Sequence, residues 1–211
     1  MFVGKRMKID VITVSPGDTL RRANDLLQVH RIHHLPVVEG ERLVGIVTGT
    51  DIRRGALERT PPDEGGAGAA EDRKVSEIMT RGVITLSPMD TIEDAALILH
   101  RRRFGAIPVV ENGRLVGILA KADIIATFLD TLNIEGIGVR VEVVLPREAG
   151  AMLRLIRQLG DMELEIRSMV LSLRGDDYIA FLRLSTIDVA TVKEKLREAG
   201  FRVPEIAEFL E

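Results

Sequence analysis

A stretch of fifty residues occurs twice in this chain of 211. Residues 3–52 align with 75–124 at a constant offset of 72, without a gap, and twenty-three of the fifty positions are identical. Val11–Thr19 (VITVSPGDT) returns as Val83–Thr91, Pro36–Glu39 (PVVE) as Pro108–Glu111, and Arg42–Ile46 (RLVGI) as Arg114–Ile118. Asp-Ile closes both copies. A unit this short cannot bury its apolar face alone, so two copies imply a pseudo-twofold pair sharing a core. Any cleft between them then occurs twice. Function is expected where the copies agree, and asymmetry where they differ.

Each copy predicts the same elements. Val11–Val14 is a short β-branched run ended by the turn signal Ser15-Pro16-Gly17. Asp18 or Thr19 can cap a helix that runs to about Arg31, with Leu20, Ala23 and Leu27 at helical spacing. Two strands follow, Leu35–Val38 and Leu43–Val47. In the second copy their connection contains Asn112-Gly113, a strong tight-hairpin signal. A second helix starts near Asp51 and Asp123. Each unit is therefore β-α-β-β-α, with strand runs apolar enough to be buried on both faces. Thr60–Asp72 (TPPDEGGAGAAED) reads as a linker, because Pro-Pro stops a helix and the Gly/Ala run has little to bury.

From Gly136 the pattern changes. Val139, Val141 and Val143 alternate with Arg140 and Glu142 as in a half-exposed strand. Pro146 opens a helix carrying Met152, Leu153, Ile156 and Leu159. Strands follow near Glu163–Leu173 and Tyr178–Ser185, then a helix capped by Asp188 and a short final strand at Phe201–Val203. The order β-α-β-β-α-β is the split βαβ of ferredoxin-like domains.

Composition narrows the function classes. Apolar residues make up 45%, enough for real cores, but aromatics only 3%, so those cores are aliphatic. The net charge of −3 argues against a generic grip on nucleic acid. The triple Arg101-Arg102-Arg103 reads as an exposed helix end. With no Cys, disulfides, thiolate catalysis and Cys-ligated zinc are excluded. The N-terminus is too short and polar for a signal peptide, and no apolar stretch has the length of a membrane span, so a cytoplasmic location is expected. No nucleophile elbow, HExxH, P-loop or dinucleotide fingerprint occurs, so the chain does not read as an enzyme.

The two copies resemble CBS domains, which in tandem form a Bateman module. The motifs are Val11–Leu20, His30–Val38 and Gly45–Ile52, with their counterparts in the second copy. The third unit is similar to an ACT domain in its element order and in Gly150. The order CBS–CBS–ACT resembles the acetoin-utilisation B-type proteins. The expected organisation is CBS repeat 1 at 1–58, a linker at 59–74, CBS repeat 2 at 75–132 and the ACT-like domain at 136–211. The fold class is α/β (α+β): two CBS units paired by pseudo-twofold symmetry, plus a ferredoxin-like domain.

The resemblance implies an adenosyl-ligand site in each cleft. Asp51 and Asp123 stand in the ribose position, where a carboxylate can accept from both vicinal hydroxyls. Each also reads as a helix cap, and the two roles can coexist. Thr48 and Thr50 offer hydroxyls to phosphates at a helix start. At those positions the second copy has Ala120 and Ala122, with Lys121 between them. Ile12-Thr13 and Ile84-Thr85 are expected to meet the adenine, or alternatively to be strand core. His33 and His34, facing Gly105 and Ala106 in the alignment, are possible phosphate contacts for either cleft, or plain surface histidines. Adjacent histidines are poor chelators, so no metal is expected. The stronger cleft is thus Ile12, Thr13, Thr48, Thr50 and Asp51. The weaker is Ile84, Thr85, Lys121 and Asp123.

The resemblance implies a non-catalytic regulator that needs no cofactor, senses AMP, ADP, ATP, NAD or S-adenosylmethionine, and relays the signal to a partner protein, as a homodimer. Two alternatives stay open. One is a ligand-free dimerisation scaffold. The other is an amino-acid sensor through the ACT-like unit, against which Arg147 counts, since family members often carry Asp there.

Overall fold

The computed structural model describes residues 1–57 and 72–205. The chain divides into two compact units, Met1–Ile125 and Ala126–Glu211. Most of the expected linker, and the last residues of the expected third domain, lie outside the described residues.

In the first unit each repeat gives a helix, a hairpin and a second helix. The first supplies α1 (Leu20–Val29), β1 (His34–Glu39), β2 (Arg42–Thr48) and α2 (Gly49–Leu57). The second supplies α3 (Ile92–Arg102), β3 (Ala106–Glu111), β4 (Arg114–Ala120) and α4 (Lys121–Thr131), whose residues from Ala126 on are counted with the second unit. Thr19 and Thr91 cap α1 and α3, each hydroxyl accepting from the amide three residues on. Asp18, the other cap candidate, accepts instead from the Ser15 amide. The hairpins pair Glu39 with Arg42 and Glu111 with Arg114, and both bulge between the two valines of Pro-Val-Val. Asn112 (φ +51) and Gly113 (φ +80) supply the two positive dihedrals of a tight hairpin turn. One sheet of order β1-β2-β4-β3 results, joined across the repeats by Arg42 opposite Arg114.

The expected strand at Val11–Val14 does not form. Only Val14 bridges β1, its amide donating to Pro36 O and its carbonyl accepting from Val38 N. Extending that parallel ladder by one step would require the Pro36 amide to donate to residue 12, and proline has no N–H. Leu86, Pro108 and Val110 repeat the arrangement in the second copy. Proline thus stops the ladder and leaves the preceding residues in non-strand backbone.

The segments preceding the repeats are exchanged. Val3 is fully buried with Leu86, Ile92, Leu99 and Ile107 of the second copy. Val75 and Met79 pack with Leu20, Leu27, Leu35 and Val47 of the first. Main-chain bonds join Lys8 to Ile118 and Thr80 to Ile46, reciprocally in both cases. Each repeat's core is therefore completed by the chain that leads into the other. Arg73 and Lys74, assigned to the linker, are held in place: Arg73 O accepts from the Leu20 amide, and its guanidinium donates to Gly55 O at 2.6 Å.

The second unit contains β5 (Val139–Pro146), α5 (Ala151–Asp161), β6 (Ile166–Arg174), β7 (Asp177–Leu184) and α6 (Val189–Glu198). Its antiparallel sheet has the order β5-β7-β6. Val141, Val143, Leu145 and Leu182 pack with Leu155, Leu159 and Leu196 in one core. Pro146 ends β5 rather than opening a helix, and α5 begins after Gly150, whose φ is +85. That start rotates the helix: Ala151, Leu155 and Leu159 are buried, while Leu153 and Ile156 are exposed. The expected final strand is reduced to one bridge, Arg202 to Val144.

Candidate functional site

The candidate site begins at the start of α2. Thr48 ends β2 and its hydroxyl accepts from the Asp51 amide, at 3.3 Å, in the manner of an N-cap. Asp51 answers from the third helical position. Its Oδ2 accepts from the Thr48 amide at 2.9 Å and from the Thr48 hydroxyl at 2.6 Å. This is a reciprocal capping box. Asp51 is therefore the returning acid of the box, not the N-cap itself. Its other oxygen, Oδ1, has no partner among the described residues. Thr48 has spent its single hydroxyl proton on Asp51, so it cannot also donate to a phosphate, as the sequence reading expects. Thr50 keeps its proton, because its oxygen accepts from Arg53 at 3.2 Å.

A cavity of about 680 Å³ opens beside this helix start. The first copy lines it with His33, His34, Thr48, Thr50, Asp51 and Arg53. The second copy lines it with Gly82, Val83, Ile84, Arg103, Phe104 and Gly105, and Thr80 joins them. That volume lies within the usual range for small-molecule sites, roughly 300–1,000 Å³. Of the sequence-predicted residues, His33, His34, Thr48, Thr50, Asp51 and Ile84 come together here. Thr85, Lys121 and Asp123 are not in this lining.

Ile12 and Thr13, expected in the stronger cleft, do not line it either; Ile12 packs against the first repeat's core. Ile84, the counterpart of Ile12, takes the place because of the segment exchange: Thr80 is bonded to Ile46 of β2, and the chain runs on through Gly82–Ile84 along the cavity. Ile84 is 38% exposed, an apolar side chain left on the cavity wall. Gly82, Val83 and Ile84 enter no main-chain hydrogen bond among the described residues, and Pro108 has no N–H to offer the Ile84 carbonyl. Free backbone polar groups beside an apolar wall can receive a flat base by hydrogen bonds and contact.

His34 sits against Gly105 of the other copy. A Cβ on Gly105 would lie 2.4 Å from His34 Nε2, so this position must lack a side chain for the ring to fit. Burial lowers the His34 pKa below its ordinary value, the neighbouring His33 adds to the effect, and the Asp51 charge opposes it.

The second helix start is built differently. Asp123 Oδ2 accepts from the Ala120 amide at 2.8 Å, but Ala120 has no hydroxyl to complete a box. Asp123 Oδ1 faces the Lys8 ammonium at 3.9 Å. Lys8 occupies the repeat position that Thr80 holds at the first cleft. The carboxylate oxygen that is open in one copy is thus approached by a cation in the other.

The motifs do not reveal Thr80, Gly82, Val83 and Phe104 as lining residues, nor two arginines. Arg53 falls one position past the aligned block, where the second copy has Ile125. Arg103 belongs to the arginine triple whose composition reads as an exposed helix end. It is the C-cap of α3 in the left-handed region (φ +56), and it lines the cavity of the other copy. Among the described residues no cluster of His, Asp or Glu is placed to hold a metal ion, and no helix is long and apolar enough to cross a membrane.

The paired hairpins and the helix-start carboxylates define a tandem module of a known kind. The CBS-domain profile matches residues 3–58 and 75–130, and the chain belongs to the CBS-domain family. An inosine-5'-monophosphate dehydrogenase from Korarchaeum cryptofilum is 38% identical over 119 residues, 54% of this chain but 22% of the dehydrogenase. The match is confined to the CBS portion of this chain, so it carries no catalytic inference. The CBS domain-containing protein YhcV of Bacillus subtilis is 33% identical over 118 residues, 56% of this chain and 79% of YhcV. Among solved structures, an acetoin utilization protein assignment (AcuB) from Vibrio cholerae aligns with TM-score 0.57 at 24% identity, over 64% of this chain and 95% of that one, a likeness of fold. The CBS pair of protein MJ0100, solved with 5'-methylthioadenosine and S-adenosylmethionine, aligns with TM-score 0.51 at 30% identity, over 61% and 95%. CBSX2, solved with AMP, aligns with TM-score 0.53 at 26% identity, over 61% and 96%.

Proposed function

We propose that this chain is a non-catalytic regulatory protein that senses an adenosyl ligand in the Asp51 cleft and relays its occupancy to a partner protein. One observation carries the reading: a single cavity joins the free oxygen of Asp51, the hydroxyl of Thr50 and the unbonded backbone of Val83-Ile84. The carboxylate suits ribose hydroxyls, the helix start suits an anion, and the apolar wall at Ile84 suits a base. The adenosyl ligands of MJ0100 and CBSX2 support the same ligand class here.

The cavity takes residues from both copies, so a ligand within it contacts both and favours the arrangement that presents them together. It can shift that equilibrium only by its differential affinity for the two arrangements. The second unit is read as an ACT-like output domain. Its βαββα order, with Arg202 bridged to Val144 on the free edge of β5, supports this. A cytoplasmic homodimer completes the proposal.

Thermal melts of the purified protein with AMP, ADP, ATP, NAD and S-adenosylmethionine test it. A ligand at about 100 times its dissociation constant adds roughly 2.7 kcal/mol to the state it binds. At least one ligand should raise the melting temperature, and Asp51→Ala should remove most of the rise. No shift with any of the five would leave the ligand-free scaffold as the better account.

A further inference from the structure

The cavity's cations carry the reading further, to the kind of adenosyl ligand. Arg53 folds back over the start of its own helix. Its guanidinium donates to Thr50 Oγ, and a Cβ on Gly49 would lie 3.4 Å from Arg53 Nη1. That places a positive charge at the positive end of the α2 dipole, where the Asp51 carboxylate of the first turn is the one anion in the lining. Arg103 reaches the same cavity from the other copy. Its backbone is held at φ +56 and ψ +30, the left-handed helix end that Arg31 (φ +52) repeats in the first copy. Neither guanidinium has a carboxylate partner among the described residues, whereas Arg22, Arg73 and Arg114 each have one. The sole acid in the lining, Asp51, has one oxygen committed to the capping box.

We propose, building on the adenosyl reading, that this cleft selects adenosine phosphates over sulfonium or uncharged adenosyl compounds, with Arg53 and Arg103 as the residues that set the preference. Two guanidiniums arriving from different repeats can hold one phosphate group from two sides, with the amides at the start of α2 and the Thr50 hydroxyl as further donors. The cationic sulfur of S-adenosylmethionine, attached where a nucleotide carries its phosphate, meets the same two charges and is disfavoured. The second copy has Ile125 in place of Arg53, so its cleft lacks the same clamp.

The test is calorimetric titration of the full chain with adenosine, 5'-methylthioadenosine, S-adenosylmethionine, AMP, ADP and ATP. The proteins are wild type, Arg53→Ile (the second copy's residue) and Arg103→Gly, glycine being at ease at that φ. In wild type, AMP should bind at least about tenfold tighter than adenosine and tighter than S-adenosylmethionine. Each variant should lose about tenfold for AMP and less than about twofold for adenosine. Raising the salt concentration should weaken AMP binding more than adenosine binding. Adenosine binding with no gain from phosphate, or equal losses for adenosine and AMP in the variants, would overturn the phosphate preference while leaving the adenosyl reading in place. No binding by any of the six would overturn both.

Discussion

Thr48→Ala is the substitution that most sharply separates the two helix starts. The Thr48 hydroxyl makes two contacts, donating to Asp51 Oδ2 at 2.6 Å and accepting from the Asp51 amide at 3.3 Å. Alanine removes both and leaves only the main-chain bond from residue 48 to Asp51. The second copy already has that reduced form, with the Ala120 amide donating to Asp123 at 2.8 Å. Loss of a threonine cap costs about 1 kcal/mol, within a range of about 0.5–2. For a cooperative unit of this size that lowers the melting temperature by roughly 3–5 °C. Ala120→Thr should act in the opposite direction, adding up to about 1 kcal/mol by giving α4 the missing hydroxyl. Thr48→Ala should also weaken the adenosyl ligand, because the Asp51 carboxylate loses a bond that fixes its rotamer. Calorimetric melts of both variants, with and without AMP, give the readout. If Thr48→Ala melts within 1 °C of wild type, or Ala120→Thr is as destabilising as Thr48→Ala, the capping-box argument is wrong.

Three further outcomes follow from the geometry. His34 has a lowered pKa in the fold, so the unfolded chain takes up the proton first as pH falls below about 6.5. The stability tied to its neutral ring is therefore present above that pH and lost as pH falls toward the folded value; melts between about pH 5 and 7.5 should show a slope that His34→Gln flattens, and parallel curves would contradict it. Gly105→Val drives a side chain into the His34 ring, at an expected cost of about 1–3 kcal/mol. His34→Ala in the same chain should recover much of that cost, and strict additivity of the two would count against the contact. Val75→Ala should cost about 2 kcal/mol and speed amide exchange in β1 and β2 rather than in β3 and β4, because Val75 is buried in the first repeat's core. Faster exchange confined to the second repeat would refute the segment exchange.

Much of this was legible in the sequence because the signals are local. Thr19, Thr91 and the Asn112-Gly113 turn act on their own neighbours. The paired aspartates were recognisable from motif position, and the Thr48/Ala120 contrast pointed to the better-equipped helix start. What the sequence hid was non-local. Val3 and Val75 are the same residue at the same repeat position, so identity cannot tell which copy each one packs on. That ambiguity put Ile12 and Thr13 in the Asp51 cleft, where Ile84 stands instead. The missing strand before each α1 or α3 follows from proline at one register position of the neighbouring strand, which only the pairing reveals. Arg103 reads as surface charge because it ends a helix, and only the pairing of the copies brings that helix end to the cavity.

The central claim is one well-equipped adenosyl cleft beside a degenerate twin. Titration of the wild-type chain, Asp51→Ala and Asp123→Ala with AMP tests it most directly. The account predicts a single high-affinity site per chain, an affinity loss of more than about tenfold in Asp51→Ala, and a change of less than about twofold in Asp123→Ala. Two sites of equal affinity, or equal losses in the two variants, would contradict it.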